Sequence, residues 1–144
     1  MADRYFSRNE AEELLPVIAP ELEQGRRQKQ ALDHLNRELA QAAARIMMQG
    51  GSIPPHEDLA KKKAESLRLT AQLKQAIDKI QAAGCVVKDL DEGLVDFPSM
   101  LNGQEVYLCW KLGEARIAYW HGMEEGFAGR KPLDSPARDD ETVH

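Results

Sequence analysis

A chain of 144 residues, 42% hydrophobic and 30% charged, suits one domain that buries a core while exposing long polar helix faces. Its net charge of −5 disfavours a nucleic-acid partner, since phosphate binding needs surplus Lys and Arg, and the one basic run, Lys61-Lys62-Lys63, fans around a helix instead of forming a stripe. No run approaches the roughly 18 apolar residues of a membrane span, the amino terminus lacks an apolar signal core, and two cysteines, Cys85 and Cys109, are too few for a disulfide framework. A cytoplasmic protein without a membrane partner is expected.

The first helix opens at Ser7-Arg8-Asn9-Glu10, a capping box in which the Ser7 hydroxyl and the Glu10 carboxylate each satisfy the other's backbone amide. Leu14, Leu15, Ile18 and Leu22 follow at helical spacing, but Pro16 and Pro20 each remove an amide and crowd the preceding turn. A short first segment to about Leu15, a kink, and a long helix restarting near Pro20 are predicted. Its stripe is Leu22, Leu32, Leu35, Leu39, Ala42, Ala43, Ile46 and Met47, ended by Gly50-Gly51-Ser52. A second helix starts at Pro54 or Pro55, with Glu57 and Asp58 suited to its first turn. It carries Leu59, Leu67, Thr70, Leu73, Ile77 and Ile80 and stops at Gly84. The short linker makes the pair antiparallel.

Strand signals come next: Cys85-Val86-Val87, a turn at Leu90–Gly93, Leu94–Phe97, a hairpin at Asn102-Gly103, Glu105–Leu112, a two-residue turn at Gly113-Glu114, and Arg116–His121. Together they predict an α+β fold: a long antiparallel helical hairpin (7–83) with a kinked amino-terminal lead-in, packed on a small four-stranded antiparallel β-meander (85–121). A carboxy-terminal loop (122–133) completes a single domain over 1–133. Residues 134–144 are polar and acidic and read as a disordered tail.

Two tight turns would set the register: Phe97 opposite Leu108, Val95 opposite Trp110, Trp110 opposite Ile117, and Leu108 opposite Tyr119. One face then gathers Val95, Phe97, Val106, Leu108, Trp110, Ile117 and Tyr119 as core. The other gathers Leu94, Asp96, Tyr107, Cys109, Ala118 and Trp120. That face is too apolar for bare solvent and is expected to be covered by the segment after His121 or to form an interface.

Chemistry is concentrated between Gly93 and Arg130, which holds both tryptophans, two of three tyrosines and six of ten glycines. His121, Glu124 and Glu125 lie close in sequence, and Asp96 and Glu114 lie on neighbouring elements. One imidazole with carboxylates suits a divalent metal ion, although the two-residue turn puts Asp96 and His121 on opposite faces, so a shared site needs a bulge or a one-residue slip. Asp96 between Val95 and Phe97 suits burial and a shifted pKa, or pairing with Lys88, Lys111 or Arg116. Cys109, mid-strand, reads as an inert packed thiol. Arg130 among Gly126, Gly129 and Lys131 suits an anion, and Trp120 with Tyr107 suits a ligand cleft or an interface on the outer face.

The segments Val87-Lys88-Asp89, Gly93-Leu94-Val95-Asp96-Phe97-Pro98, Leu108-Cys109-Trp110, Leu112-Gly113-Glu114, Trp120-His121 and Gly126–Arg130 with Pro132 closely resemble the DUF2203 family of uncharacterised bacterial and archaeal proteins. The opening Glu10-Ala11 through Leu14-Leu15-Pro16 and Pro20 resembles it too. The likeness implies a small cytosolic protein and supplies no activity. Unspent apolar surface on the helices and on the outer sheet face leads to a non-enzymatic protein that self-associates, as a homo-oligomer such as a dimer. The alternative is a small divalent-metal- or anion-binding enzyme built on His121, Glu114, Asp96 and Arg130. No cofactor beyond a divalent metal ion is expected.

Overall fold

The computed structural model describes residues 4–48, 50 and 56–133; the expected tail at 134–144 and the helix start at Pro54 or Pro55 lie outside the described residues. It is an α+β arrangement of two helices on a five-stranded antiparallel sheet. The capping box forms as expected: the Ser7 amide donates to Glu10 Oε1 at 2.8 Å and the Glu10 amide to Ser7 Oγ at 3.0 Å.

Helix α1 (Arg8–Met48) then runs unbroken through Pro16 and Pro20, so the restart expected near Pro20 does not occur. The missing amides would have met the carbonyls of Glu12 and Pro16, two ladder bonds in succession along one helix face. Leu15, Ile18 and Leu22, all buried against the sheet, hold the helix across that gap. Tertiary burial outweighs the local cost.

Helix α2 (His56–Ala82) packs on α1 in the opposite direction: Glu21 meets Lys79, Gln28 meets Gln72, Asn36 meets Ser66 and Glu38 meets Lys62. Its buried side is Leu69, Ala76 and Ile80, with Leu73 partly buried. The expected positions Leu67 and Thr70 face solvent, Leu67 at 73% exposure, because the inward stripe is one step out of phase with them. On α1, Ala43 and Met47 are likewise exposed. No helix among the described residues is long and apolar enough to cross a membrane.

The strands are β1 (Val86–Asp89), β2 (Leu94–Leu101), β3 (Gln104–Lys111), β4 (Tyr119–Gly122) and β5 (Lys131–Pro132), ordered as numbered. Asn102 and Gly103 both have positive φ, 52° and 82°, as the primed hairpin turn joining β2 to β3 requires. Phe97 opposes Leu108 and Val95 opposes Trp110 as expected. Pro98 sits within β2 where β1 has ended. That open edge is closed by the amino-terminal segment, in which the Phe6 amide donates to Pro98 O at 2.7 Å and the Ser99 hydroxyl donates to Phe6 O at 2.6 Å. The core joins Phe6, Leu15, Ile18, Leu22, Ile80, Val95, Phe97, Leu108, Trp110 and Ile117.

Beyond β3 the sheet departs from expectation. Leu108 opposes Trp120, Cys109 opposes Tyr119 and Tyr107 opposes His121, one residue out from the two-residue-turn register. Glu114 explains the slip. Its amide closes a turn onto Lys111 O at 2.9 Å, its carbonyl accepts the Trp110 indole at 2.9 Å, and its carboxylate accepts the Lys111 amide at 2.8 Å. The Ile117 amide goes to Glu12 Oε2 on α1 at 2.8 Å, not to a strand partner. The connection therefore widens and β4 begins at Tyr119. The fifth strand arises where the segment after His121, expected as plain loop, folds back and pairs Lys131 and Pro132 with Trp120 and Tyr119.

Candidate functional site: a buried aspartate, cysteine and histidine

A one-residue slip moves every side chain of a strand to the other face. Tyr119 leaves the expected core and Trp120 replaces it, half-buried against the helix-facing cluster. His121 moves to the outer face with Asp96 and Cys109. Trp120 and Tyr107, expected as cross-strand partners in a cleft, therefore stand on opposite faces.

The three converging residues are almost fully enclosed: Asp96 is 2% exposed, and Cys109 and His121 are each 1%. One ligand-type atom from each lies within 4.8 Å of the others. His121 Nε2 is 3.0 Å from Asp96 Oδ2, and Nδ1 is 2.9 Å from Gly122 O. A carbonyl can only accept, so Nδ1 carries a proton, and a single further proton, on Nε2 or on Oδ2, serves the contact between the ring and the carboxyl.

Burial pushes the Asp96 carboxyl above its ordinary range, opposed by the His121 ring, Lys88 and a hydrogen bond from the Cys109 thiol. Burial and then the Asp96 charge push the Cys109 thiol to about 12, so it is a protonated, unreactive thiol, in keeping with the sequence expectation.

These groups line a cavity of about 130 Å³ whose other walls are Lys88, Leu94, Glu125, Gly126 and Phe127. Lys88, an exposed residue at the β-bulge between Val87 and Asp89, follows core-facing Val87 and so falls on the outer face with Asp96. Its ammonium lies 4.6 Å over the Tyr107 ring, which in turn is tilted 5.5 Å from the His121 ring.

The remaining sequence candidates divide. Glu114 and Arg130 form their own pair, in which Nη2 alone donates to both carboxylate oxygens at 3.0 and 3.1 Å, with the guanidinium 3.9 Å over Tyr119 and 4.5 Å over Phe127. This pair straps the carboxy-terminal segment over the outer face, so that face is covered rather than bare. Glu125 faces the cavity but is committed, accepting from the Gly122 amide at 2.7 Å and from Lys131 Nζ at 2.6 Å. Glu124 is exposed on a separate shallow groove beside Gln104, Trp120 and Lys131. Sequence reasoning took Cys109 for an inert packed thiol and Lys88 for one of three pairing partners of Asp96, and placed neither at a shared site with His121. What brings them there is position, in the β3–β4 register and on the outer face of β1.

Comparisons with curated proteins and with solved structures return no match. The family described as "Uncharacterized conserved protein (DUF2203)" matches residues 4–133, which takes in both helices, the whole sheet and the cavity, and the chain belongs to that family.

Proposed function

We propose that the protein binds a divalent transition metal ion through Asp96, Cys109 and His121, with an open coordination position toward the cavity. The observation that carries this reading is the enclosure of three chemically different ligand groups within 4.8 Å of one another on one sheet face. One thiolate, one imidazole and one carboxylate suit zinc, which accepts all three. The Nδ1 contact to Gly122 O is the outer bond that metal-bound histidines commonly make, and it leaves Nε2 for the ion. Ligand atoms about 2.0–2.3 Å from a common ion stand roughly 3.3–3.7 Å apart. Loading therefore opens the 3.0 Å contact slightly and draws the widest pair together. Three protein ligands and an adjoining cavity match sites that exchange a fourth ligand, in contrast to closed structural sites.

Elemental analysis of protein purified without chelator, followed by equilibrium dialysis against micromolar zinc, tests this reading. One ion per chain, lost in His121→Ala and in Cys109→Ala, is expected. A wild-type chain that takes up no zinc under those conditions would end it.

Self-association is a second proposal, now supported by the helices alone, since the outer sheet face is strapped over. Val17 is 65% exposed, Leu67 73%, Met47 83% and Met48 87%. Light scattering after size exclusion at micromolar concentration should return a dimer or larger; a monomer would remove it.

A further inference from the structure

We infer that residues 123–129 form a lid over the buried Asp96, Cys109 and His121, fastened by Glu125 and plugged by Phe127, which opens as a unit while the sheet beneath stays folded. The lid rests on the geometry of the loop itself; its use, to admit and release the ion, rests on the metal reading.

Asp96, Cys109 and His121 are almost fully screened from solvent, so an ion or ligand reaches them only if a wall of their cavity moves. Lys88 and Leu94 belong to the paired strands β1 and β2, which part only when the sheet does. Glu125, Gly126 and Phe127 belong to the loop between β4 and β5.

That loop has the features of a segment that opens separately from its fold. Every residue from Met123 to Ala128 is exposed, so opening gives up little apolar burial. Its backbone hydrogen bonds are local: the Glu125 amide donates to Gly122 O at 3.0 Å, the Gly129 amide to Gly126 O at 2.9 Å, and the Arg130 amide to Phe127 O at 3.2 Å. No hydrogen bond among the described residues joins 123–129 to β1, β2 or β3. The loop can therefore swing off the sheet with its internal turns intact. Its ends are anchored, one at Gly122 opposite Val106, the other at Arg130 through Glu114.

Glu125 is the fastener. Its Oε1 accepts from the Gly122 amide at 2.7 Å and from Lys131 Nζ at 2.6 Å, tying together the two strands that flank the loop. Gly122 and Gly129 make room for it, since a Cβ on either would lie 3.1 Å from a Glu125 atom. Phe127 is the plug. Its ring lines the cavity and sits under the Arg130 guanidinium at 4.5 Å and the Lys111 ammonium at 5.6 Å.

Thiol labelling of the metal-free full chain tests the lid. Iodoacetamide followed by peptide mass mapping reports on Cys109 beneath the loop, with Cys85 in the helix-facing core as internal reference. Below the unfolding transition, Cys109 labelling should be nearly independent of urea, because loop opening exposes little surface, while Cys85 labelling climbs steeply. Glu125→Ala and Phe127→Ala should each speed Cys109 labelling about fivefold, without a matching change at Cys85. The same steep urea dependence at both thiols would overturn the inference, because the loop would then open only with the whole fold. So would Cys109 labelling unmoved in both variants.

Cobalt kinetics join the lid to the metal reading. In a chain that binds cobalt, Phe127→Ala should raise the rates of uptake and of release to a chelator by the same factor. Release raised alone would mean weaker binding and would overturn the role of the lid in admitting the ion. A chain that takes no cobalt but shows local labelling of Cys109 keeps the lid and ends the metal reading. One that binds cobalt while Cys109 waits on global unfolding does the reverse.

Discussion

His121 on β4 and Asp96 on β2 meet at 3.0 Å over the face of β3, the strand that separates them, beside the thiol of Cys109. Both side chains are almost wholly buried, so each is the other's main polar partner. Such an arrangement makes the two residues unequal in substitution. In His121→Ala the Asp96 carboxyl is left enclosed without the ring, at a cost of about 3 kcal/mol. Asp96→Asn keeps an amide that still reaches Nε2 and costs about 1–2 kcal/mol. Urea unfolding of both variants checks the order, and equal losses below about 0.5 kcal/mol would show that the pair contributes nothing to the fold.

Metal uptake should release protons. Binding needs a Cys109 thiolate, whereas burial keeps the metal-free sulfur protonated, its pKa pushed up to about 12. At least one proton should therefore leave per ion, and that proton makes affinity rise with pH by up to about tenfold per unit around neutrality. Calorimetry in buffers of different ionisation heat counts the release. Cys109→Ser, whose hydroxyl stays protonated, should release one proton fewer.

Alkaline stability follows from the two cysteines. Burial raises the Cys85 thiol to about 11 and the Cys109 thiol to about 12, both above the unfolded value near 9. A raised folded pKa means that the stabilisation is intact below the unfolded pKa and is lost as pH climbs toward the folded one. From pH 8 to 10 the two thiols together should cost about 3 kcal/mol of stability. Denaturant midpoints across that range should fall in the native chain, and the fall should be shallower in a Cys85→Ala, Cys109→Ala variant.

Gly93 and Gly113 separate backbone strain from collision. Both have positive φ, 71° and 105°, which a side chain disfavours by about 1 kcal/mol. A Cβ on Gly113 meets nothing within 4 Å, while one on Gly93 lies 2.7 Å from the Leu112 Cβ. Gly113→Ala should cost about 1 kcal/mol, and Gly93→Ala about 3 kcal/mol, since the turn before β2 must move away from the loop after β3. Thermal unfolding distinguishes the two, and a Gly93→Ala no worse than Gly113→Ala would mean that Leu112 yields freely.

Much of this architecture was legible in the residues because local chemistry and burial agreed there. Ser7 and Glu10 cap each other as their spacing implies, and Asn102-Gly103 fixes β2 against β3 residue for residue. The reading failed where a distant partner decided the outcome. Pro16 and Pro20 look like breaks until Leu15 and Ile18 are seen packed on the sheet. Gly113-Glu114 looks like a tight hairpin until Glu12, about a hundred positions earlier in the chain, takes the amide of Ile117. For the site, Asp96 and His121 were identifiable by type, but their meeting depended on register, and Cys109 became relevant only once it lay between them. Glu124 and Glu125 were close in sequence to His121, but Glu124 is exposed on another groove, and Glu125, although it lines the cavity, is held by the Gly122 amide and Lys131.

The connection between Lys111 and Tyr119 also has a bearing on how such a site is inherited. A shortening of that connection by a single residue, with the chemistry of every candidate ligand untouched, would rotate the histidine into the helical layer and return Trp120 to the outside. Loop length here acts as a parity bit for the whole pocket. Relatives that retain Asp96, Cys109 and His121 but whose connection differs in length by an odd number of residues are predicted to have lost the shared site, and a count of residues across the loop discriminates between them better than the ligands themselves.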